Sequence, residues 1–193
     1  MLNWPNLLTV IRILLTPVFL WLLFSEQWYS QMVAFAIFIL AAVTDFYDGK
    51  LARSKNRVTS LGRFLDPLAD KILVLSALVG LTLRHLVHYW LVVPVIVRDI
   101  LITGMRIYGL YRGRQMLTSR LAKWKTALQL FAIACILFCS GMQDVLQRYG
   151  QRGLDEQWVV VLANGLMVGV LTLTLLSGLQ YMVRGSFFKT STK

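Results

Sequence analysis

Cysteine and histidine are almost absent from this sequence, and acidic side chains are few: 2 Cys, 2 His and 9 Asp or Glu among 193 residues. Cys135 and Cys139 lie one helical turn apart in an apolar stretch and face the same side of one helix, which argues against a disulfide between them. Neither belongs to a metal-binding pattern, so they read as small apolar residues filling helix contacts. His85 and His88 share a short polar connector and read as exposed interfacial residues. Charge of either sign is scarce, 15% of the chain against 57% hydrophobic residues. So little polar surface excludes an ordinary soluble globule of this length and leaves a membrane protein as the natural class.

What the sequence does have is apolar runs along its whole length, with no linker between them. The expectation is a single all-α polytopic membrane domain over residues 1–193 with six transmembrane helices near 7–24, 32–52, 62–83, 90–110, 121–141 and 159–183. Residues 1–5 carry no basic leader, so the first run reads as a retained helix rather than a removed signal peptide. The net charge of +11 could suggest nucleic acid, but the basic residues sit between the apolar runs rather than along one face. Anionic lipid head groups suit that placement, at about 1 kcal/mol per Lys or Arg near the surface.

Lys55 and Arg57 in one connector, and Arg112, Arg114 and Arg120 in another with Lys123 and Lys125 just beyond, place those connectors in the cytoplasm by the positive-inside bias. The opposite connectors hold Glu26, Asp144, Asp155 and Glu156. Six spans then put both termini in the cytoplasm, and the tail agrees, with Arg184, Lys189 and Lys193 and no acid. Trp4, Trp28, Trp90, Trp124 and Trp158 fall near span ends, as an interfacial aromatic belt requires.

Against this pattern, Asp45, Asp48, Asp66 and Asp70 are misplaced. They fall where the second apolar run ends and the third begins, and a carboxylate near a bilayer costs about 2.5–3.5 kcal/mol even on lenient insertion scales. Asp45 and Asp48 are three apart and share one helix face; Asp66 and Asp70 are four apart and share another. If the two helices pack antiparallel, four negative charges meet where repulsion forbids them without cations. Oxygen-only ligands select hard ions, Mg²⁺ or Mn²⁺, and such ions serve phosphate chemistry. The plainer alternative is a set of salt bridges to Lys50, Arg53, Arg63 and Lys71. Gly49, Ala52 and Gly62 leave room for a flat base or a diphosphate against the backbone, or simply let helices pack.

The run Asp45-Phe-Tyr-Asp48-Gly49-Lys-Leu-Ala52-Arg53, then eight residues, then Gly62-Arg-Phe-Leu-Asp66-Pro-Leu-Ala-Asp70 resembles the signature of the CDP-alcohol phosphotransferases at all eight fixed positions. The resemblance implies a six-helix membrane fold, a homodimer, and a cytoplasm-facing cavity for a CDP-linked donor and two divalent ions. It further implies Asp45, Asp48 and Asp66 as metal ligands, Asp70 as the base at the same metal site, and Gly49, Ala52 and Gly62 lining the cytidine-diphosphate site with Arg53 beside the diphosphate. Within the family, the opening Pro5-Asn6-Leu-Leu-Thr9-Val-Ile-Arg12 is similar to members that transfer phosphatidate from CDP-diacylglycerol to glycerol 3-phosphate, releasing CMP. Arg98-Asp99 resembles that branch's Arg-Glu pair, with Asp99 in place of the usual Glu.

A phosphorylated acceptor needs Arg or Lys in the same cavity, and Arg106, Lys123 and Arg184 near the cytoplasmic ends of the last three spans are the candidates, each equally readable as an interface-snorkelling side chain. Arg98 sits deeper, where it could pair with Asp99 or reach another helix. Two rival functions are a cardiolipin synthase whose acceptor is phosphatidylglycerol and, in another class, a membrane transporter. The transporter predicts transport without CMP release, and no span shows the interrupted helices that mark such carriers.

Overall fold

The computed structural model describes the backbone of residues 4–54, 60–111, 120–150 and 156–184, and within these the side chains of 11–44, 71–105, 107–109, 111, 121–150 and 156–180. Among the described residues all regular structure is helical, in six elements: α1 (Trp4–Phe24), α2 (Ser30–Ser54), α3 (Ser60–Leu83), α4 (Tyr89–Tyr111), α5 (Arg120–Arg148) and α6 (Glu156–Arg184). Each expected span has its helix. The largest difference is at the end of α5, which runs past the expected stop at residue 141 because Met142 to Arg148 contains no breaker. It closes only at Gly150, whose φ of 67° is the left-handed conformation that glycine supplies at a helix end, with its N–H donating to the Gln147 carbonyl at 3.2 Å.

The helices pack in a closed ring, each against two neighbours, in the order α1, α2, α5, α6, α4, α3 and back to α1, with a smaller α3–α5 contact across the middle. Short connectors set this order on one side of the bundle. Ser30 at the start of α2 donates its hydroxyl to the Gln27 carbonyl at 2.7 Å, which fixes the turn from α1. Arg84 reaches from the end of α3 to the Leu23 carbonyl at 2.9 Å, placing a cation on the unsatisfied carbonyl end of α1. In α6, Asn164 accepts the His88 N–H at 2.9 Å and so holds the α3–α4 turn, which carries His85 and His88 exposed, as expected.

Apolar side chains fill the ring: Phe19, Leu23, Phe38, Leu78, Leu81, Ile133, Leu137 and Met167 are all buried. Large apolar side chains also cover the outside, among them Trp21, Leu40, Leu83, Trp90, Leu101, Phe131, Val161 and Leu179. An exterior this greasy is incompatible with water as the only solvent and is what lipid chains require. Of the described helices, Leu121–Arg148 and Glu156–Gln180 are long and apolar enough to cross a membrane, and Ile11–Phe24, Ser30–Thr44 and Lys71–Leu83 are shorter apolar stretches.

The backbones of α2 and α5 approach closely at Gly141. A β-carbon on Gly141 would lie 3.0 Å from the Met32 nitrogen and 3.2 Å from the Gln31 carbonyl carbon. Next to it the Ser140 hydroxyl donates to the Gln31 Oε1, so a small residue and a hydrogen bond lock the pair together. Gly141→Val is therefore expected to lower the thermal transition in detergent, at a cost of about 1–3 kcal/mol for forcing two backbones apart. Gly165→Val, where nothing lies within 4 Å of the added β-carbon, should leave the transition in place.

Candidate active site

The two halves of the acidic motif come to one end of the bundle. Asp45, Asp48, Gly49, Ala52 and Arg53 lie in the last ten residues of α2, and Gly62, Asp66 and Asp70 in the first eleven of α3. Both helices pack on α1, and residues 55–59 join them. At 1.5 Å per residue the four acids lie within about 15 Å of the joined helix ends. Their side chains, and those of Gly49, Ala52, Arg53 and Gly62, lie outside the described residues. Among the described residues no three His, Cys, Asp or Glu side chains stand together.

The same end of the bundle holds a buried ionic cluster that the apolar character of α4, α5 and α6 would not suggest. Asp99, in the middle of α4, has no exposed side-chain surface. Its Oδ1 accepts hydrogen bonds from Arg98 at 3.1 Å and from Lys125 of α5, and its Oδ2 lies 3.6 Å from Lys71 Nζ of α3. Lys125 is itself fully buried and also donates to Gln129 one turn along α5. Arg98 uses its second terminal nitrogen to donate to the Ser177 hydroxyl of α6 at 2.9 Å. Four helices are thus tied to one carboxylate.

Among the described residues, three cations around one anion leave a surplus of two positive charges (three minus one). At about 4 Å and an effective dielectric near 20, each ion pair is worth roughly 4 kcal/mol, and each cation–cation pair at similar range costs as much. Among the described residues Asp99 is the one carboxylate at these three cations, and it alone does not offset both its own desolvation and their mutual repulsion. Polar capacity is also left over there. Among the described residues, Arg98 Nε, Asp99 Oδ2, Gln129 Nε2 and Gln180 Oε1 are buried without a hydrogen-bond partner, and Gln180 follows Ser177 by one turn on the same face of α6.

The three acceptor candidates lie on the helices that build this cluster. Arg106 is in α4 and Arg184 closes α6, with side chains outside the described residues. Lys123 in α5 is exposed, whereas Lys125, two residues on, is turned into the bundle. Arg98, expected to pair with Asp99 or to reach another helix, does both in the structure. What sequence reasoning passed over was Lys125 itself. The signal was present: Lys125 and Gln129 stand four apart in a stretch that otherwise reads as apolar span, and an intramembrane lysine is expensive enough to demand a partner. Arg12, in α1, is also buried, 4% exposed.

Known proteins match this sequence along most of the chain. The sequence model of a family described as CDP-alcohol phosphatidyltransferase matches residues 2–176. A protein of Cereibacter sphaeroides named CDP-diacylglycerol–glycerol-3-phosphate 3-phosphatidyltransferase is 37% identical over 171 residues, 84% of this chain and 76% of the relative. Proteins of the same name from Pseudomonas fluorescens and Escherichia coli K12 are 40% identical over 141 residues (70% of this chain, 72% of the relative) and 35% identical over 185 residues (93% of each).

Proposed function

The chain belongs to the CDP-alcohol phosphatidyltransferase family, an enzyme family, and from that membership we propose that it transfers phosphatidate from CDP-diacylglycerol to glycerol 3-phosphate, giving phosphatidylglycerophosphate and CMP. The relatives' shared name supports this choice of donor and acceptor. The observation that carries it is the surplus of positive charge, among the described residues, around the buried Asp99, because a phosphorylated acceptor brings about two negative charges. A neutral alcohol would leave that surplus unanswered.

In this reading all six helices span the membrane, both termini and the active-site end face the cytoplasm, and the enzyme works as a homodimer among membrane lipids. The apolar exterior supports the spanning arrangement, and the basic residues near the motif end support the orientation.

The reaction follows from the placement of the groups. The acceptor phosphate binds where Lys71, Arg98 and Lys125 converge, with Arg106, Lys123 and Arg184 toward the cavity mouth. The cytidine and diphosphate lie along Gly49, Ala52 and Gly62, with Arg53 beside the diphosphate. The acceptor hydroxyl oxygen bonds to the phosphorus that carries diacylglycerol, the bond from that phosphorus to the oxygen shared with CMP breaks, and CMP departs with that oxygen. The hydroxyl proton passes to the Asp70 carboxylate. An all-oxygen donor set at the end of α2 and the start of α3, two helices that both pack on α1, suits hard ions. Two Mg²⁺ or Mn²⁺ ions held by Asp45, Asp48, Asp66 and Asp70 would neutralise charge on the diphosphate and on departing CMP.

CMP release from CDP-diacylglycerol, measured with purified enzyme in lipid against a panel of acceptors with and without Mg²⁺, tests the whole reading. Glycerol 3-phosphate should be incorporated in preference to phosphatidylglycerol, serine and inositol. Incorporation of phosphatidylglycerol alone would make the chain a cardiolipin synthase, and transport without CMP release would remove it from enzymology.

A further inference from the structure

Asp99 touches three cations, yet neutralising one of them would need only one contact. Arg98 from its own helix, Lys125 from α5 and Lys71 from α3 all converge on its carboxylate. Such crowding works against itself electrostatically, since like charges are drawn within reach of one another. The arrangement makes sense when the cations are to be presented together, at fixed positions, to something else.

We infer that Asp99 is a positioning residue for the acceptor: it holds Lys71, Arg98 and Lys125 in the orientation that receives the acceptor phosphate without touching that phosphate itself. The inference rests on the glycerol 3-phosphate reading. Lys and Arg end long rotatable stems that sample many positions unless tied down. Arg98 is tied twice, by Asp99 at 3.1 Å and by Ser177 at 2.9 Å, which fixes the plane of its guanidinium. Lys125 is tied by Asp99 and Gln129. Lys71 approaches the Oδ2 at 3.6 Å, so its ammonium is held by charge with its hydrogen-bonding capacity toward Asp99 unspent. Removing the carboxylate raises the positive charge of the cluster but frees its members to repel one another and turn away. Lost alignment outweighs gained charge, because the oxygens of a tetrahedral phosphate are gripped by donors at hydrogen-bond range, and attraction falls quickly once they retreat.

The test is Asp99→Asn in the full-length enzyme, with initial rates measured while each substrate is varied in turn. The expected result is a KM for glycerol 3-phosphate raised at least tenfold with the KM for CDP-diacylglycerol unchanged within twofold. Because KM does not depend on how much of the enzyme has folded, a merely structural Asp99 would instead lower the apparent kcat and leave both KM values alone; that outcome, or a parallel rise in both, overturns the inference. Should Asp99→Asn give too little folded enzyme for a KM, Asp99→Asn/Lys125→Gln, which loses one charge of each sign, is compared with Lys125→Gln alone. Positioning requires at least a further threefold rise in the glycerol 3-phosphate KM of the double variant, and equal values overturn it. If the wild-type enzyme does not use glycerol 3-phosphate at all, the functional reading fails first, a result distinct from either of these.

Discussion

The Asp70→Asn enzyme is expected to release CMP about a thousandfold more slowly than the wild type while still binding CDP-diacylglycerol in the presence of divalent metal. The magnitude follows from the role: a positioned general base contributes about 10²–10⁴ in rate, and an amide in its place cannot take the acceptor's proton. Donor binding should survive because Asn keeps the shape and an oxygen, and three carboxylates, Asp45, Asp48 and Asp66, remain to hold the ions. Two measurements separate the possibilities, CMP release under saturating acceptor and equilibrium binding of the CDP-lipid with and without Mg²⁺. Turnover near the wild-type rate would strip Asp70 of the role of base. Loss of donor binding together with turnover would make it a ligand first, since chemistry would then fail for want of substrate.

Chelating divalent cations from the purified enzyme should bring turnover down to background, again by about a thousandfold or more, and should lower its thermal transition. In the proposed site four carboxylates would repel by roughly 4 kcal/mol per pair at about 4 Å with an effective dielectric near 20, so the bare site should be held together poorly. Mg²⁺ or Mn²⁺ should restore both properties, as hard ions suited to oxygen ligands. The thermal measurement matters because it reports on the four acids without requiring catalysis. An enzyme that keeps its transition temperature and its turnover after exhaustive chelation would mean that the acids are neutralised by Lys and Arg alone, and the proposed ion site would not exist.

The two sites differ in how far the sequence discloses them. Asp45, Asp48, Asp66 and Asp70 announce themselves because each is a charge where apolar residues surround it, and their three- and four-residue spacings fall on helix faces. The cluster around Asp99 draws on residues spread from Lys71 to Ser177, and no local spacing says which of them meet. Lys123 and Lys125 show the limit most plainly. Both are lysines at the start of the same helix, equally ready to snorkel toward an interface, but a two-residue step turns a helix face by about 200°. One of them therefore lies at the surface and the other inside.

Apolar segment length determined where the helices are, because about 20 residues of sustained hydrophobicity leave the backbone no way to satisfy itself in lipid except as a helix. The sequence alone also supplied the acidic motif and, through it, the family. The ring order of the helices was decided only in three dimensions, by contacts such as Gly141 against the backbone at Met32 and Phe19 against Phe38. So was the convergence of Lys71, Arg98 and Lys125 on Asp99. Helix formation is local and readable from neighbours in the chain, whereas the pairing of charges depends on which helix faces pack together, and that is settled by the fit of side chains far apart in sequence.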